Sequence, residues 1–139
     1  MNKDIKLIIL LGVCSYIIDI YSGKNTYYKS CYNKYNVQIE LLIHHILNIY
    51  AQFGWLSNNK ILLQGYVISC IILLCHWNAN NDRCILTEKI NKKCNIPIEK
   101  PFRDILYAVG FKHLKYYSIL HRIYIFVTGI IALYKLSNL

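Results

Sequence analysis

At 139 residues the chain holds one domain, because it is too short to bury two independent cores. Hydrophobic residues make up 55% of it, charged residues 17% and its mean hydropathy is +0.29. Soluble domains are about a quarter charged, so the composition points to a membrane protein. The net charge of +9 does not by itself indicate nucleic acid. The basic residues flank apolar runs, where the positive-inside rule accounts for them, and no basic groove or RNP-like motif accompanies them.

The first apolar run, about 5–21, follows a short basic start at Lys3 and Lys6. It lacks a small-x-small cleavage pattern at its end, since Tyr21 stands where a small residue is needed, so it reads as a retained span with Asp19 near its far end. A polar stretch over 22–36 leads to the second run, about 37–56. This run is long and apolar enough to cross a bilayer, yet it carries Glu40, His44, Asn48 and Gln52 at a strict four-residue spacing. On a helix these form one slowly winding polar stripe, which must face protein or a wet cavity inside a membrane.

The third run, about 61–77, has Gly65 and Ser69 as a small-xxx-small face. Trp55 and Trp77 end successive spans, as an aromatic belt at opposite surfaces would place them, so the second and third runs are expected to form a helical hairpin. The loop over 78–118 is the longest polar region. Leu86, Ile90 and Cys94 fall on one face of a segment starting at Ile85. Beyond Pro101, a helix-starting residue, Phe102, Ile105, Leu106 and Val109 recur at helical spacing before the stop signal Gly110. Both segments read as short amphipathic helices, about 85–110, which either lie on the membrane surface or cap the bundle. A fourth span runs over about 119–134, with His121 and Arg122 at its start.

The expected fold is therefore all-α, a single transmembrane domain over 1–139 with four spans and an amphipathic cap between spans 3 and 4. Four spans put both termini and the 57–60 turn on one side with four basic residues, and the loops on the other with twelve. The positive-inside rule then makes loops 22–36 and 78–118 cytoplasmic and the termini non-cytoplasmic. Of the six cysteines, Cys14, Cys70 and Cys75 lie in apolar runs, where cysteine behaves as a small hydrophobe. A disulfide scaffold is accordingly not expected.

On this topology Asp19, Glu40, His44, His76, His121 and Arg122 gather at the loop side, and Cys84 follows His76 closely enough to fold over them. Three readings compete. Glu40, His44, His76 and Cys84 are suitable ligands for a transition metal, though no established ligand spacing is present. His44 or His45 with His76 could ligate haem, which requires opposed imidazoles at equal depth. Alternatively the groups bond one another, with Asp19 or Glu40 pairing Arg122 or a histidine such as His121, as interhelical contacts. No nucleophile motif, phosphate loop or C-x-x-C stands out, and a proton-relay transporter is disfavoured because the polar groups sit at one end of the spans.

The stretch His76–Glu88, H-W-N-A-N-N-D-R-C-I-L-T-E, resembles a family of small multi-span membrane proteins of large DNA viruses. H-H-I-L-N at His44–Asn48, G-W-L at Gly54–Leu56 and Phe-x-Asp-Ile-Leu-Tyr at Phe102–Tyr107 support the likeness over about 41–115. The resemblance implies a viral source and a membrane of the infected cell or virion, and carries no activity to individual residues. The same motif has a local reading, since Asn78, Asn80 and Asn81 supply turn chemistry and Glu88 suits a helix N-terminus. The expected role is a structural or interaction component of a viral or host membrane, whose partners are the lipid bilayer and another copy or other membrane proteins. The alternative is a metal- or haem-binding redox protein.

Overall fold

The computed structural model describes residues 2–23, 29, 32, 34–113 and 115–139, and among these every regular element is helical. The order is α1 (Lys3–Gly23), α2 (Tyr35–Phe53), α3 (Lys60–Ala79), α4 (Ile85–Lys93), α5 (Ile105–Ala108) and α6 (Tyr117–Ser137), with 3-10 turns at Gly54–Leu56 and Phe111–His113. The expected spans lie within or next to α1, α2, α3 and α6. By length and composition α1, α3 and α6 can cross a membrane, and fewer than a quarter of the residues in each apolar window are buried. That low burial matters, because α1 exposes Leu7, Leu10 and Ile17, α3 exposes Ile61, Ile68 and Ile72, and α6 exposes Ile123, Phe126 and Leu133. Contiguous apolar surface of this extent is what a lipid-facing helix carries. The polar stripe on α2 leaves it out of that set.

Each long helix buries only a narrow stripe at three- and four-residue spacing, one face of a 3.6-residue period. On α1 the stripe is Gly12, Ser15, Asp19 and Gly23; on α3 it is Leu63, Tyr66 and Cys70; on α6 it is Ile125, Thr128, Gly129 and Ala132. These stripes pair α1 with α2 and α3 with α6 as the two extensive helix–helix packings, while α2 and α3 touch over a smaller area. The expected α2–α3 hairpin is therefore connected in sequence but is not the main packing unit. Small residues explain the choice of partners. A Cβ at Gly12 would lie 2.6 Å from Ile46 Cγ1 and 2.8 Å from Ile46 Cα, and one at Gly129 would meet Cys70 Cβ at 3.4 Å. Gly12→Val should accordingly force α1 from α2 and lower stability by about 1–3 kcal/mol, the usual cost of overpacking. Thermal unfolding in mild detergent measures this, and an unchanged midpoint would remove Gly12 from the packing argument.

One end of the molecule gathers the N-terminus, the 54–59 turn and the C-terminus, as expected. Ser57 Oγ donates to Asp4 Oδ2 at 2.5 Å, and Lys135 Nζ donates to the carbonyls of Trp55, Leu56 and Ser57 at 2.8–3.3 Å. Asn59 starts α3 by accepting from Leu62 N–H at 3.0 Å, a side-chain N-cap.

The other end is the cap. The chain leaves α3 through Asn81 and Asp82, at φ +50° and +63°, a left-handed turn that Asn and Asp tolerate. Here α4 docks against α2, placing Ile90 and Cys94 in a core with Tyr32, Val37, Leu41, Ile96 and Phe102. Thus α4 caps the bundle, while Leu86, expected on the same face, is 37% exposed. Cys94 is disulfide-bonded, whereas Cys14, Cys70, Cys75 and Cys84 are free. A cross-linked cysteine is thus present, although a disulfide scaffold was not expected. Pro101 does not start a long helix. Instead α5 spans a single turn, because Phe102, Arg103 and Asp104 are 5%, 8% and 3% exposed and Asp104 caps α5 by accepting from Tyr107 N–H at 3.0 Å. Gly110, at φ +83°, ends the segment as expected.

Candidate functional site

Asp19 sits at the cap end of α1, buried at 3% exposure. Its Oδ1 accepts from Arg103 Nε at 3.1 Å, and its Oδ2 lies 3.4 Å from His45 Nε2. The other nitrogen of His45 is 3.0 Å from Ser15 Oγ, and Arg103 reaches on to donate to Ser22 Oγ at 3.0 Å. Phe102 stacks on His44 with ring centroids 3.8 Å apart and tilts against His45 at 4.7 Å. The tripeptide Phe102–Asp104 thus plugs the open end of the α1–α2 pair. Next to it, Lys112 pairs with Asp104 Oδ2 at 2.9 Å and donates to the Phe102 carbonyl at 2.7 Å. Burial pushes the Lys112 ammonium below the ordinary lysine range, against the pull of Asp104.

A Ser–His–Asp chain of this kind invites comparison with a hydrolytic triad. In such a triad the hydroxyl faces substrate and the carboxylate serves the imidazole. Here Ser15 is 3% exposed and His45 is wholly buried, neither lines the cavity between α2 and α3, and the carboxylate is shared with a guanidinium. The network holds α1, α2 and the cap together.

The four candidate metal ligands do not converge. Glu40 Oε1 is held by Lys89 and Lys93, with N–O distances of 3.1 and 2.6 Å, which ties α4 to α2. His76 Nε2 accepts from Ile85 N–H at 3.1 Å, which fastens the α3–α4 turn. Only His44 and Cys84 meet, with Nε2 and Sγ 3.6 Å apart. Among the described residues no three His, Cys, Asp or Glu side chains are grouped to hold a metal ion. The haem arrangement fails likewise, because His76 is engaged in the turn and His45 between Asp19 and Ser15. The reason is the separation of α2 from α3, which puts a cavity where a tight hairpin would have put ligands.

Of the expected ion pairs, Asp19 does meet a histidine, His45, and it also takes Arg103, while Arg122 pairs instead with Asp82 across the cap. His121 is not charged-paired: Gln52 Nε2 lies 2.6 Å from its Nε2, Tyr117 Oη lies 3.2 Å from its Nδ1, and its ring rests on Trp77 with centroids 4.9 Å apart. Arg103, Asp104 and Lys112 were not among the expected site residues, and His45 was considered only as a haem ligand. The signal for the first two was present as R-D directly after Pro101-Phe102, a charged dipeptide set in an apolar repeat.

A cavity of about 400 Å³ lies between α2, α3, the start of α6 and the cap. Its walls include Leu47, Ile72, Leu73, Trp77, Leu86 and Phe102, and the polar stripe of α2 enters it through His44, Asn48 and Gln52. Comparison with protein-family models, curated proteins and solved structures finds no match. What the fold and site define is an all-helical protein with three helices apolar enough to cross a membrane, a polar plug at one end and a cavity beside it.

Proposed function

We propose that this chain is a multi-pass membrane protein acting as a structural or interaction component of its membrane, with α2 spanning beside α1, α3 and α6. The observation that carries this is the division of surface. Apolar side chains ring the outside of α1, α3 and α6, while Asp19, His45 and Arg103 are turned inward and bonded to one another. Polar groups used in this way hold helices together in lipid. The resemblance of the His76–Glu88 stretch to small viral membrane proteins supports a membrane of the infected cell or virion. The disulfide at Cys94 supports an oxidising environment for the capped end, since such bonds are rare in the cytosol. On this reading the capped end faces away from the cytosol, opposite to the sidedness expected from the basic residues.

Membrane fractions washed with alkaline carbonate should retain the whole protein in the pellet, because each apolar helix is held by lipid. Cross-linking in those membranes should give discrete products with a second copy or another membrane protein. Release into the supernatant would overturn the spanning helices, and a strictly monomeric, uncross-linked chain would overturn the interaction role.

A further inference from the structure

The cavity between the two helix pairs carries a feature that the bundle does not use. Among the described residues, His44 Nδ1 and Asn48 Oδ1 are buried and have no hydrogen-bond partner, and both residues line the cavity. His44 is 6% exposed. A buried polar atom left unpaired costs about 1–3 kcal/mol, so two on one wall point to a missing partner. They stand at i and i+4 on α2, one above the other on the same helix face. Both residues thus stand one helical turn apart on the same wall of the cavity.

The chemistry of that group follows from the neighbours. Cys84 Sγ lies 3.6 Å from His44 Nε2. A thiol donating there fixes the neutral tautomer with the proton on Nδ1. His44 then offers a donor and Asn48 Oδ1 an acceptor, and a hydroxyl both accepts and donates. Three ion pairs stand around the cavity, Lys112 with Asp104, Arg83 with Glu88 and Asp82 with Arg122, and Glu99 and Lys100 add one charge of each sign to its lining. An anionic headgroup would have to break one of these pairs. The rest of the lining is mostly apolar and aromatic surface, with Gln52, Ser69, Thr87 and Ser118 as further polar groups, and the volume falls in the ~300–1,000 Å³ range of small-ligand sites. Water would satisfy the two polar atoms but not Leu47, Ile72, Leu73 and Phe102, since apolar cavities stay dry.

We propose that this cavity takes a neutral single-chain lipid bearing a hydroxyl headgroup, its hydroxyl bridging His44 and Asn48 and its chain lying between α2 and α3. The bilayer is the source of such a molecule. The site adds a ligand to the membrane reading and does not depend on any partner protein.

Trp77 lines the cavity, whereas Trp55 does not, so Trp77 fluorescence in a Trp55→Phe background reports occupancy. The full chain in mild detergent is titrated with a chain-brominated monoacylglycerol. Saturable quenching, reversed by unbrominated monoolein, is expected. The corresponding brominated methyl ester, which has no hydroxyl, and brominated phosphatidylglycerol, which is anionic, should quench weakly and without saturation. Asn48→Leu should weaken binding by about tenfold, equivalent to one lost hydrogen bond of about 1.4 kcal/mol. Ser69→Phe, which fills the cavity from α3, should abolish it. Each variant is checked for native helicity and melting, so loss of fold is separated from loss of binding. Equal quenching by all three lipids, or quenching that ignores Asn48→Leu and Ser69→Phe in folded protein, would overturn the proposal. No saturable quenching in the folded Trp55→Phe chain, meaning a cavity that holds water only, would overturn it too.

Discussion

Arg103→Ala should loosen the cap from the bundle and lower stability by about 3–5 kcal/mol, the cost of leaving one charge of a buried pair without its partner. The side chains of Arg103 and Asp19 are only 9% and 2% exposed, so solvent does little to soften the loss. Removing the guanidinium leaves Asp19 Oδ1 without its donor at 3.1 Å, removes one donor from Ser22 Oγ, which still donates to the Asp19 carbonyl, and takes the cation from above the Tyr107 ring, 5.0 Å from its centroid. Among the described residues the Asp19 carboxylate then keeps His45, at 3.4 Å. The double variant Asp19→Leu with Arg103→Met should recover most of the loss, because an apolar pair of similar volume avoids both desolvation penalties. Unfolding in detergent gives the free energies, and limited trypsin cleavage within 98–115 reports the cap separately. If Arg103→Ala costs under about 1 kcal/mol, or if the double variant is no better than the single one, the plug is not held by charge.

The helices were legible in the sequence because their signal is local. Runs of apolar residues bounded by Asn58-Asn59 and by Asn80–Asp82 placed α3 within a residue or two of its ends. The pairing of polar groups was not legible, because it depends on which helices pack. Equal distance from the 57–60 turn suggested that Glu40 faces His76, and this assumes a tight α2–α3 hairpin. Gly12 against Ile46 and Gly129 against Cys70 instead draw α2 to α1 and α3 to α6, and the space left between the pairs becomes the cavity. Arg103 was hidden by its neighbours. Phe102, Ile105, Leu106 and Val109 fit a helical repeat, yet burial of Phe102 to Asp104 holds that stretch out of the helix until Ile105. His44 shows the partial success. It was selected for its stripe and its depth, and it does line the cavity, but only Cys84 of its three expected companions comes with it.

Cys94→Ala should lower stability by about 2–5 kcal/mol, the range for loss of a native disulfide in a small domain. Cys94 is 4% exposed within the core formed by Val37, Leu41, Ile90 and Phe102, so the bond restrains α4 where Glu40 also holds it through Lys89 and Lys93. The same loss should appear in the wild type on adding a strong reductant, and reductant should then leave Cys94→Ala unchanged. Equal sensitivity of both proteins would show that the bond contributes nothing to the fold. The state of Cys94 in cells also tests sidedness. Free thiols in living cells are blocked with a permeant maleimide before lysis, and the protein is then labelled with a polymer-linked maleimide with and without reduction. A mobility shift that needs reduction, and that Cys94→Ala lacks at Cys94, is expected for a cap facing an oxidising compartment. The basic side chains do not oppose this orientation as strongly as their number implies. Lys89, Lys93, Arg103, Lys112 and Arg122 are engaged with Glu40, Asp19, Asp104 and Asp82 within the folded end. If Cys94 is instead blocked before lysis, the cap lies in the reducing cytosol, and the orientation drawn from the positive charges returns.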